Sequence, residues 1–442
     1  MLTDSASSRS LGLAERYLWQ IDRLSCLNCA VMVTLTGSLE KAALREALYV
    51  IQREQPLFRT RITTDRKGRP RYTPDAEQPI PLRIDECPTD EWPCTVARSL
   101  STPFPDGTAP LVRCVWLRGE EVSQIVLLFH HAIADGRSVV YWMKRLIALA
   151  TQAQMDSPEL QEDSVSEPLE RGYARRFRGV PGLWRLGWML VRGTLSTIHD
   201  GGSVQIPSFR PGFTGKPAVH LLQLIFDQPT TTAFRSACRR FGVNTHAGLG
   251  AAQVLAVNEL FSDQATSRRL ALTSTVDLRK QVSPPVPEQR TGVYFSMIQT
   301  THRIGPESRF WAVAQNIRDQ MTSSTGRGHA HLVWLAFGAL TAAGPGVLRY
   351  LLTRLPPSTL LSHLGSLAAD DTAGRVRITA ISATVCPPPM VPVVIATSVF
   401  DGRLFANLSY DASKLSDERA LKLAERFQTI VQGIGDNERL PA

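Results

Sequence analysis

The chain has 442 residues, of which 43% are hydrophobic and 20% are charged, and its formal net charge is +9. These fractions are typical of a soluble globular protein, and the length exceeds the roughly 250–300 residues at which one hydrophobic core stops growing, so we expect two domains. Seven scattered cysteines, an odd number, indicate reduced thiols in a cytosolic protein and exclude a disulfide frame.

Nothing in the sequence predicts a signal peptide or a membrane span. The N-terminus carries no apolar signal-like stretch, and the longest uncharged run, Leu332–Leu348, is interrupted by Gly344, Pro345 and Gly346. Because that run is too short and too broken to cross a bilayer, we expect a cytoplasmic protein.

Residues 1–150 carry strand, helix, strand and hairpin segments. Leu111–Leu117 and Val122–His130 are β-rich runs joined by the polar residues Arg118, Gly119, Glu120 and Glu121, a pattern typical of a hairpin. We expect Ser138 to cap the following helix, whose apolar residues recur at helical spacing, namely Val139, Trp142, Met143, Leu146 and Leu149.

The end of the second run, Phe129–Ser138, contains the motif HHxxxDG. From the chain's own His, Asp and Gly frequencies, this pattern would arise by accident about one time in a thousand. Adjacent side chains on an extended segment face opposite ways, so only one of the two rings easily faces a cleft. We predict that it is His131, with His130 in support.

A single imidazole can accept a proton from a hydroxyl, thiol or amine as that group attacks a carbonyl. Asp135 could orient His131 or pair with a distant cation and hold the loop. Gly136 leaves its amide unobstructed, so it is a candidate donor to a developing oxyanion. The alternative is a purely structural turn made by His130, His131 and Asp135.

We expect a linker or crossover at 151–215 and a second domain at 216–442. The second domain repeats the order of strands and helices predicted for the first half, with a strand at Val219–Asp227 and helices at Thr231–Phe241 and Ala247–Phe261. Gln152–Pro168 is polar and acidic, whereas Arg171–Arg192 holds six arginines, no acidic residue, and the two tryptophans Trp184 and Trp188.

The arginine-rich stretch has several interpretations. It could lie on a membrane surface, or it could dock an acidic partner protein or attract phosphate groups. It could also be a linker helix with solvated arginines. Nucleic-acid binding is disfavoured because no recognised module accompanies the stretch.

Three further motifs are weaker. Cys26 and Cys29 form a CxxC without a second pair, which indicates packed core cysteines rather than a metal site. Gly248 and Gly250 lie within a predicted helix, where they favour close helix packing over phosphate binding. His329 and His331 form an HxH that we interpret as solvated loop histidines.

HHAIADG after a buried strand resembles the signature of the CoA-dependent acyltransferase superfamily, which includes condensation domains, polyketide-associated acyltransferases, alcohol acetyltransferases and plant BAHD enzymes. Further resemblances span nearly the whole chain: Leu13–Trp19 to the opening helix, Glu54–Arg61 to an hPxLR segment, Thr275–Arg279 to a strand-borne DLR, Ser362–Ser366 to an SNxG turn, and Leu404–Asp411 to a late strand. The DFGWG motif of the plant branch is absent, and His363 replaces the usual Asn of the turn.

The resemblance implies an α/β fold of two chloramphenicol-acetyltransferase-like domains, arranged as a V with the active site in a tunnel at their interface. It implies that His131 is the general base and that Asp135 points away to Arg279. The donor would be an acyl-CoA or a phosphopantetheinyl acyl carrier protein, with no other cofactor and no metal.

The predicted activity is transfer of an acyl group to the hydroxyl of a small-molecule or lipid acceptor by a monomer, with peripheral membrane contact as a further expectation. The alternatives are a free-standing amide-forming condensation enzyme and a non-catalytic module that binds a carrier protein.

Overall fold

The structure, a computed structural model, describes residues 8–75, 78–86, 91–119, 121–152, 165–207, 218–263, 265–342, 344, 346, 358–368, 376–389 and 391–436. Glu120 of the predicted hairpin turn, parts of the predicted linker 151–215 and the end of the uncharged run Leu332–Leu348 lie outside the described residues.

The chain forms two compact α/β units. The first comprises Met1–Gly172, Arg279–Tyr294 and Leu367–Val385, and the second comprises Tyr173–Leu278, Phe295–Ser366 and Cys386–Ala442. The predicted α/β fold of two sheet-containing domains is confirmed. The units are discontinuous in sequence, unlike the contiguous ranges 1–150, 151–215 and 216–442, because two segments from the second half of the chain pack within the first unit.

The first unit contains eight strands and four α-helices among its described residues. The strands are β1 (Arg9–Ser10), β2 (Asn28–Thr36), β3 (Thr60–Thr64), β4 (Pro70–Pro74), β5 (Leu82–Glu86), β6 (Val112–Arg118), β7 (Val122–His130) and β12 (Arg377–Val385). The helices are α1 (Leu13–Leu24), α2 (Lys41–Glu54), α3 (Trp92–Leu100) and α4 (Gly136–Thr151).

The sheets of this unit have the orders β1-β4-β3 and β12-β2-β7-β6-β5. The predicted hairpin is confirmed, because β6 and β7 pair antiparallel. Strand β7 also pairs antiparallel with β2, so it lies inside the sheet, and its last six residues are buried. A rigid, buried strand therefore carries the HHxxxDG motif at its end.

The second unit contains six strands and six α-helices whose bounds the structure describes. The strands are β8 (Val219–Phe226), β9 (Arg268–Asp277), β10 (Phe295–Ile304), β11 (Thr359–Leu367), β13 (Val393–Phe400) and β14 (Arg403–Asp411). The helices are α5 (Gly179–Asp200), α6 (Gln228–Arg240), α7 (Thr245–Asn258), α8 (Phe310–Gly326), α9 (His329–Ala342) and α10 (Asp417–Asp436).

These six strands form one sheet of order β10-β9-β11-β13-β14-β8. Its core includes Leu249 and Val254 of α7, Ile317 of α8 and Phe427 of α10, all buried in one apolar cluster. The predicted strand and two helices at the start of this half correspond to β8, α6 and α7, with ends displaced by at most three residues.

Gly250 of α7 packs as predicted. A Cβ at this position would lie 2.9 Å from the Leu272 side chain and 3.2 Å from that of Ile317. The absence of a side chain therefore lets α7 approach β9 and α8 closely. This close packing explains the glycine without invoking a phosphate-binding role.

Candidate active site

The two histidines of the motif lie where β7 ends, and main-chain hydrogen bonds hold both. The His130 amide donates to the Leu111 carbonyl at 3.0 Å, and the His131 amide donates to the Leu27 carbonyl at 3.3 Å. The hydroxyl of Tyr72, fully buried, donates to the Ala132 carbonyl at 2.7 Å. The turn that carries the imidazoles is therefore braced from three directions.

The ring of His131 is held by the turn itself. Its Nδ1 lies 2.9 Å from the carbonyl oxygen of Ala134. A carbonyl can only accept, so Nδ1 carries the proton, and in the neutral ring Nε2 is the acceptor nitrogen. This is the tautomer that a general base acting through Nε2 requires.

The pKa of His131 is lowered from its ordinary value of 6.5. Burial of the ring is the largest cause, because it disfavours the charged imidazolium, and the neighbouring His130 acts in the same direction. The Ala134 carbonyl and the charge of Asp135 oppose the shift without cancelling it. At neutral pH the half-buried ring of His131 is therefore neutral and able to accept a proton.

His130 adopts the opposite tautomer. The Ala132 amide donates to its Nδ1 at 3.1 Å, so Nε2 carries the proton, and Nε2 lies 3.4 Å from the Asp22 carboxylate. The other Asp22 oxygen accepts from the Leu27 amide at 2.7 Å. His130 is buried and ties the end of β7 to α1, so its geometry is that of a support.

The carboxylate of Asp135 caps helix α4. It accepts from the amide and the hydroxyl of Ser138, both at 2.8 Å, and from the Tyr294 amide at 2.9 Å. The predicted cap at Ser138 is wrong: α4 begins at Gly136 because Asp135 accepts the Ser138 amide, which places the cap three residues earlier.

Arg279 is the charge partner of Asp135. One guanidinium nitrogen lies 3.0 and 3.1 Å from the two carboxylate oxygens of Asp135 and 2.8 Å from the Ser138 hydroxyl. Both side chains are buried. Burial alone would raise the pKa of Asp135, but Arg279 and the hydrogen bonds from Ser138 and Tyr294 outweigh it, so the pKa is lowered.

The placement of Arg279 differs from the prediction of a strand residue in the opposite half. It follows the end of β9 at Asp277, and it lies in the same compact unit as Asp135. Its second terminal nitrogen donates to the carbonyls of Pro287 and Arg290 at 3.0 and 2.9 Å. Arg279 therefore joins the HHxxxDG motif to the loop that follows Arg279 in the chain.

The segment Arg279–Tyr294 holds the motif through main-chain and side-chain hydrogen bonds. The Asp135 amide donates to the Gly292 carbonyl at 3.0 Å, and the Thr291 hydroxyl receives hydrogen bonds from the side chains of Gln55, at 2.8 Å, and Trp142. The Asp135 carboxylate is bound by Ser138, Arg279 and the Tyr294 amide, and the Ala134 carbonyl lies at His131 Nδ1. Asp135 therefore holds the turn, while a main-chain carbonyl orients the imidazole.

Gly136 is the first residue of α4. The first four amides of a helix lack partners within the helix, and the helix dipole places partial positive charge at this end. The backbone beside the half-buried Gly136 thus has the polarity needed for a developing oxyanion.

Sequence reasoning missed four contributors to this region: Asp22, Tyr72, Thr291 and Tyr294. Their contacts join segments far apart in the chain, such as Tyr72 with Ala132 and Tyr294 with Asp135. No local pattern of residues marks them, so the sequence carried no signal that could have found them.

The other histidines that the sequence drew attention to lie in the second unit. His331 is buried in α9 and stacks on Phe177 with ring centroids 4.4 Å apart. The prediction of solvated loop histidines is therefore wrong for His331, and the half-buried His329 is the first residue of α9 rather than part of a loop. His363 lies in β11 with Nδ1 2.8 Å from the Thr397 hydroxyl, and its pKa is lowered to about 3, chiefly by burial.

The cysteine pair is a packing feature. Cys29 is buried in β2, and the half-buried Cys26 donates to the Leu100 carbonyl at 3.2 Å. Among the described residues, both are free cysteines.

Two family models match the two parts of the chain. The model of the condensation domain matches residues 18–167, and the model described as "Phthiocerol/phthiodiolone dimycocerosyl transferase C-terminus" matches residues 215–408. The two matched ranges occur along the chain in the same order as the segments that resemble the superfamily's motifs.

Two curated relatives match about a third of the chain. Chondramide synthase cmdD of Chondromyces crocatus is 30% identical over 178 residues, 37% of this chain and 4% of that protein. A linear gramicidin synthase of Brevibacillus parabrevis is 32% identical over 176 residues, 35% of this chain and 3% of that protein. The chain thus spans a small fraction of the length of these relatives.

Three solved structures show the shared fold. Polyketide synthase associated protein 5 from Mycobacterium tuberculosis aligns with a TM-score of 0.71 and 17% identity over 97% of this chain and 98% of that chain. The trichothecene 15-O-acetyltransferase TRI3 from Fusarium sporotrichioides gives 0.74 and 10% over 96% and 95%. The first condensation domain of the calcium-dependent antibiotic synthetase gives 0.74 and 17% over 98% and 97%.

Both family matches agree with the superfamily that the HHxxxDG motif resembles. The first part of the chain is similar to condensation domains, and residues 215–408 are similar to the C-terminal part of dimycocerosyl transferases. In the part of the chain that the structure describes, no helix has the length and apolar character needed to cross a bilayer.

Proposed function

We propose that this chain is an acyltransferase that moves an acyl group from a CoA or carrier-protein thioester to the hydroxyl of an acceptor, with His131 as general base. The observation that carries the proposal is the Ala134 carbonyl at His131 Nδ1, which leaves Nε2 as the basic nitrogen of a ring that is neutral at pH 7.

The reaction follows from that tautomer. Nε2 takes the proton of the acceptor hydroxyl as its oxygen attacks the thioester carbonyl carbon, forming a tetrahedral intermediate. Collapse of the intermediate breaks the C–S bond, and the leaving thiolate takes the proton back from the imidazolium. The products are an ester and a thiol, and no acyl group becomes attached to the protein.

The oxyanion of the intermediate needs hydrogen-bond donors. We assign this role to the backbone amide of Gly136 at the start of α4, where the helix dipole also favours negative charge. The step requires neither a metal nor a further cofactor, and we propose a cytoplasmic monomer as the working form.

The comparisons support a thioester donor and a hydroxyl acceptor in different ways. The condensation-domain match and the two synthase relatives favour a donor carried on a phosphopantetheinyl arm. The match to a dimycocerosyl transferase model and the fold of an O-acetyltransferase favour ester formation.

Two alternative functions would use this site differently. An amide-forming condensation enzyme would use the same base on an amine, which the condensation-domain match favours. A non-catalytic carrier-binding module would not need the basic tautomer of His131. The intact motif and its brace of Asp135 and Arg279 speak against that module.

A thiol-release assay tests the proposal. Acyl-CoAs and acyl carrier proteins of varied chain length are offered with alcohol or amine acceptors, chosen by mass spectrometry of small molecules that co-purify with the chain. We expect thiol release together with an ester product, unchanged after dialysis against a chelator. Amide product alone would establish the condensation alternative, and carrier binding without product from any pair would establish the non-catalytic one.

A further inference from the structure

Helix α5 presents an apolar stripe to solvent. Along its length, residues three or four apart are exposed and apolar: Val180, Trp184, Trp188, Val191, Leu195 and Ile198. Trp184 is 76% exposed and Trp188 is 60% exposed. Spacings of three and four place these side chains on one face of a helix, so the stripe is continuous over about five turns.

The opposite face of α5 packs on the second unit. Leu186 is buried, and a Cβ on the buried Gly182 would lie 2.7 Å from the Phe177 backbone and 3.4 Å from the Leu335 side chain of α9. Helix α5 is therefore packed against the protein on one side, and its exposed stripe lies on a helix that is fixed in place. Exposed apolar patches of this kind mark interaction sites.

Positive charge runs along one edge of this stripe. Arg185 and Arg192 of α5 are exposed and lie seven residues apart, which places them in a row between the stripe and the packed face, and the exposed Arg178 immediately precedes the helix. The preceding Arg175 and Arg176 are exposed as well. No acidic residue occurs from Arg171 to His199.

We propose that α5 lies in the plane of an anionic lipid surface, with Trp184 and Trp188 inserted at the level of the acyl chains and the arginine row at the phosphates. An interfacial helix has this composition: an apolar face with Trp and Leu, and arginines beside it. The inference is independent of the proposed chemistry.

Charge complementarity selects the lipid over other occupants. An acidic carrier protein would satisfy the arginines but would leave two exposed tryptophans and four aliphatic side chains without a role. A second copy of this chain would bring the same positive row against the first. An anionic bilayer contacts both features at once, because phosphates lie directly above the acyl chains.

Vesicle flotation tests the proposal on the full chain. We expect binding to vesicles of phosphatidylcholine mixed with phosphatidylglycerol and much weaker binding to phosphatidylcholine alone, with the difference falling as salt rises. The double variant Trp184→Ser/Trp188→Ser should lose binding. Arg185→Gln and Arg192→Gln should each weaken it about fivefold.

The matched control is Leu421→Ser on α10, which removes another apolar side chain of about half exposure and should bind as the unaltered chain does. Brominated lipids should quench the fluorescence of the unaltered chain and not that of the double tryptophan variant. Absence of binding to anionic vesicles would overturn the proposal. If light scattering instead shows that the unaltered chain is a dimer and the double tryptophan variant a monomer, and the unaltered chain binds no vesicles, the stripe is the interface with a second copy.

Discussion

Arg279 bridges both carboxylate oxygens of Asp135 and the hydroxyl of Ser138 with one guanidinium nitrogen, at 2.8–3.1 Å. The bridge fixes the residue that caps α4, and the residue before it, Ala134, supplies the carbonyl that orients His131. The buried ion pair of Asp135 and Arg279 thus fixes the main chain beside Ala134. The carbonyl of Ala134 in turn selects the tautomer of His131.

Replacing Asp135 with Ala should destabilise the fold. Removing one partner of a buried pair leaves an uncompensated charge and costs about 3–5 kcal/mol. Urea unfolding measures the change. The matched control is Glu288→Ala, which breaks the exposed pair with Arg137 and should cost no more than about 1 kcal/mol. A fully stable but inactive Asp135→Ala would instead make the aspartate a direct partner of His131.

The pH dependence of kcat/KM should reflect the lowered pKa of His131. The base must be unprotonated, and its pKa lies below 6.5 because burial disfavours the imidazolium. Activity should therefore hold as the pH falls through 6.5 and decline only at lower pH. The profile is measured with an acceptor alcohol that does not titrate in this range. An acid limb above pH 6.5 would contradict the assignment.

His130→Ala should be milder in activity than His131→Ala and larger in its effect on stability. Its ring is buried between the Ala132 amide and the Asp22 carboxylate, and loss of such bonds costs about 1–3 kcal/mol. Thermal melting and turnover are measured together. Equal loss of turnover in the two variants, with unchanged melting of His130→Ala, would show that the two rings share the chemistry.

Replacing Arg175, Arg176 and Arg178 with Gln should leave turnover of a small thioester unchanged and reduce binding to anionic vesicles. The three exposed side chains precede α5. If an acidic carrier protein docks here, its apparent affinity should fall and become less salt-dependent, while a thioester analogue without the carrier reacts as before. That second pattern, with vesicle binding intact, would contradict the membrane assignment.

Local patterns predicted the elements near the motif. The hairpin of β6 and β7 and the helix α4 follow from period-two and helical spacing, and the family resemblance supplied the pairing of Asp135 with Arg279. The cap was misplaced because Asp135 and Ser138 are both good capping residues, and only their mutual hydrogen bonds decide between them.

Long-range packing lay beyond the sequence. Strand β12 pairs with β2 across more than three hundred residues, and His331 is buried because Gly328, at φ +75°, lets the chain close on Phe177. Hydrophobic periodicity marks which residues are buried within an element, but it does not specify which distant segment covers them.

The central claim is that His131 transfers the proton. The most direct measurement is single-turnover acyl transfer by His131→Ala, with saturating thioester and acceptor and with the melting temperature recorded in parallel. The account predicts an unchanged melting temperature and a rate lower by about a hundredfold to ten-thousandfold. Full activity of a folded His131→Ala would contradict it.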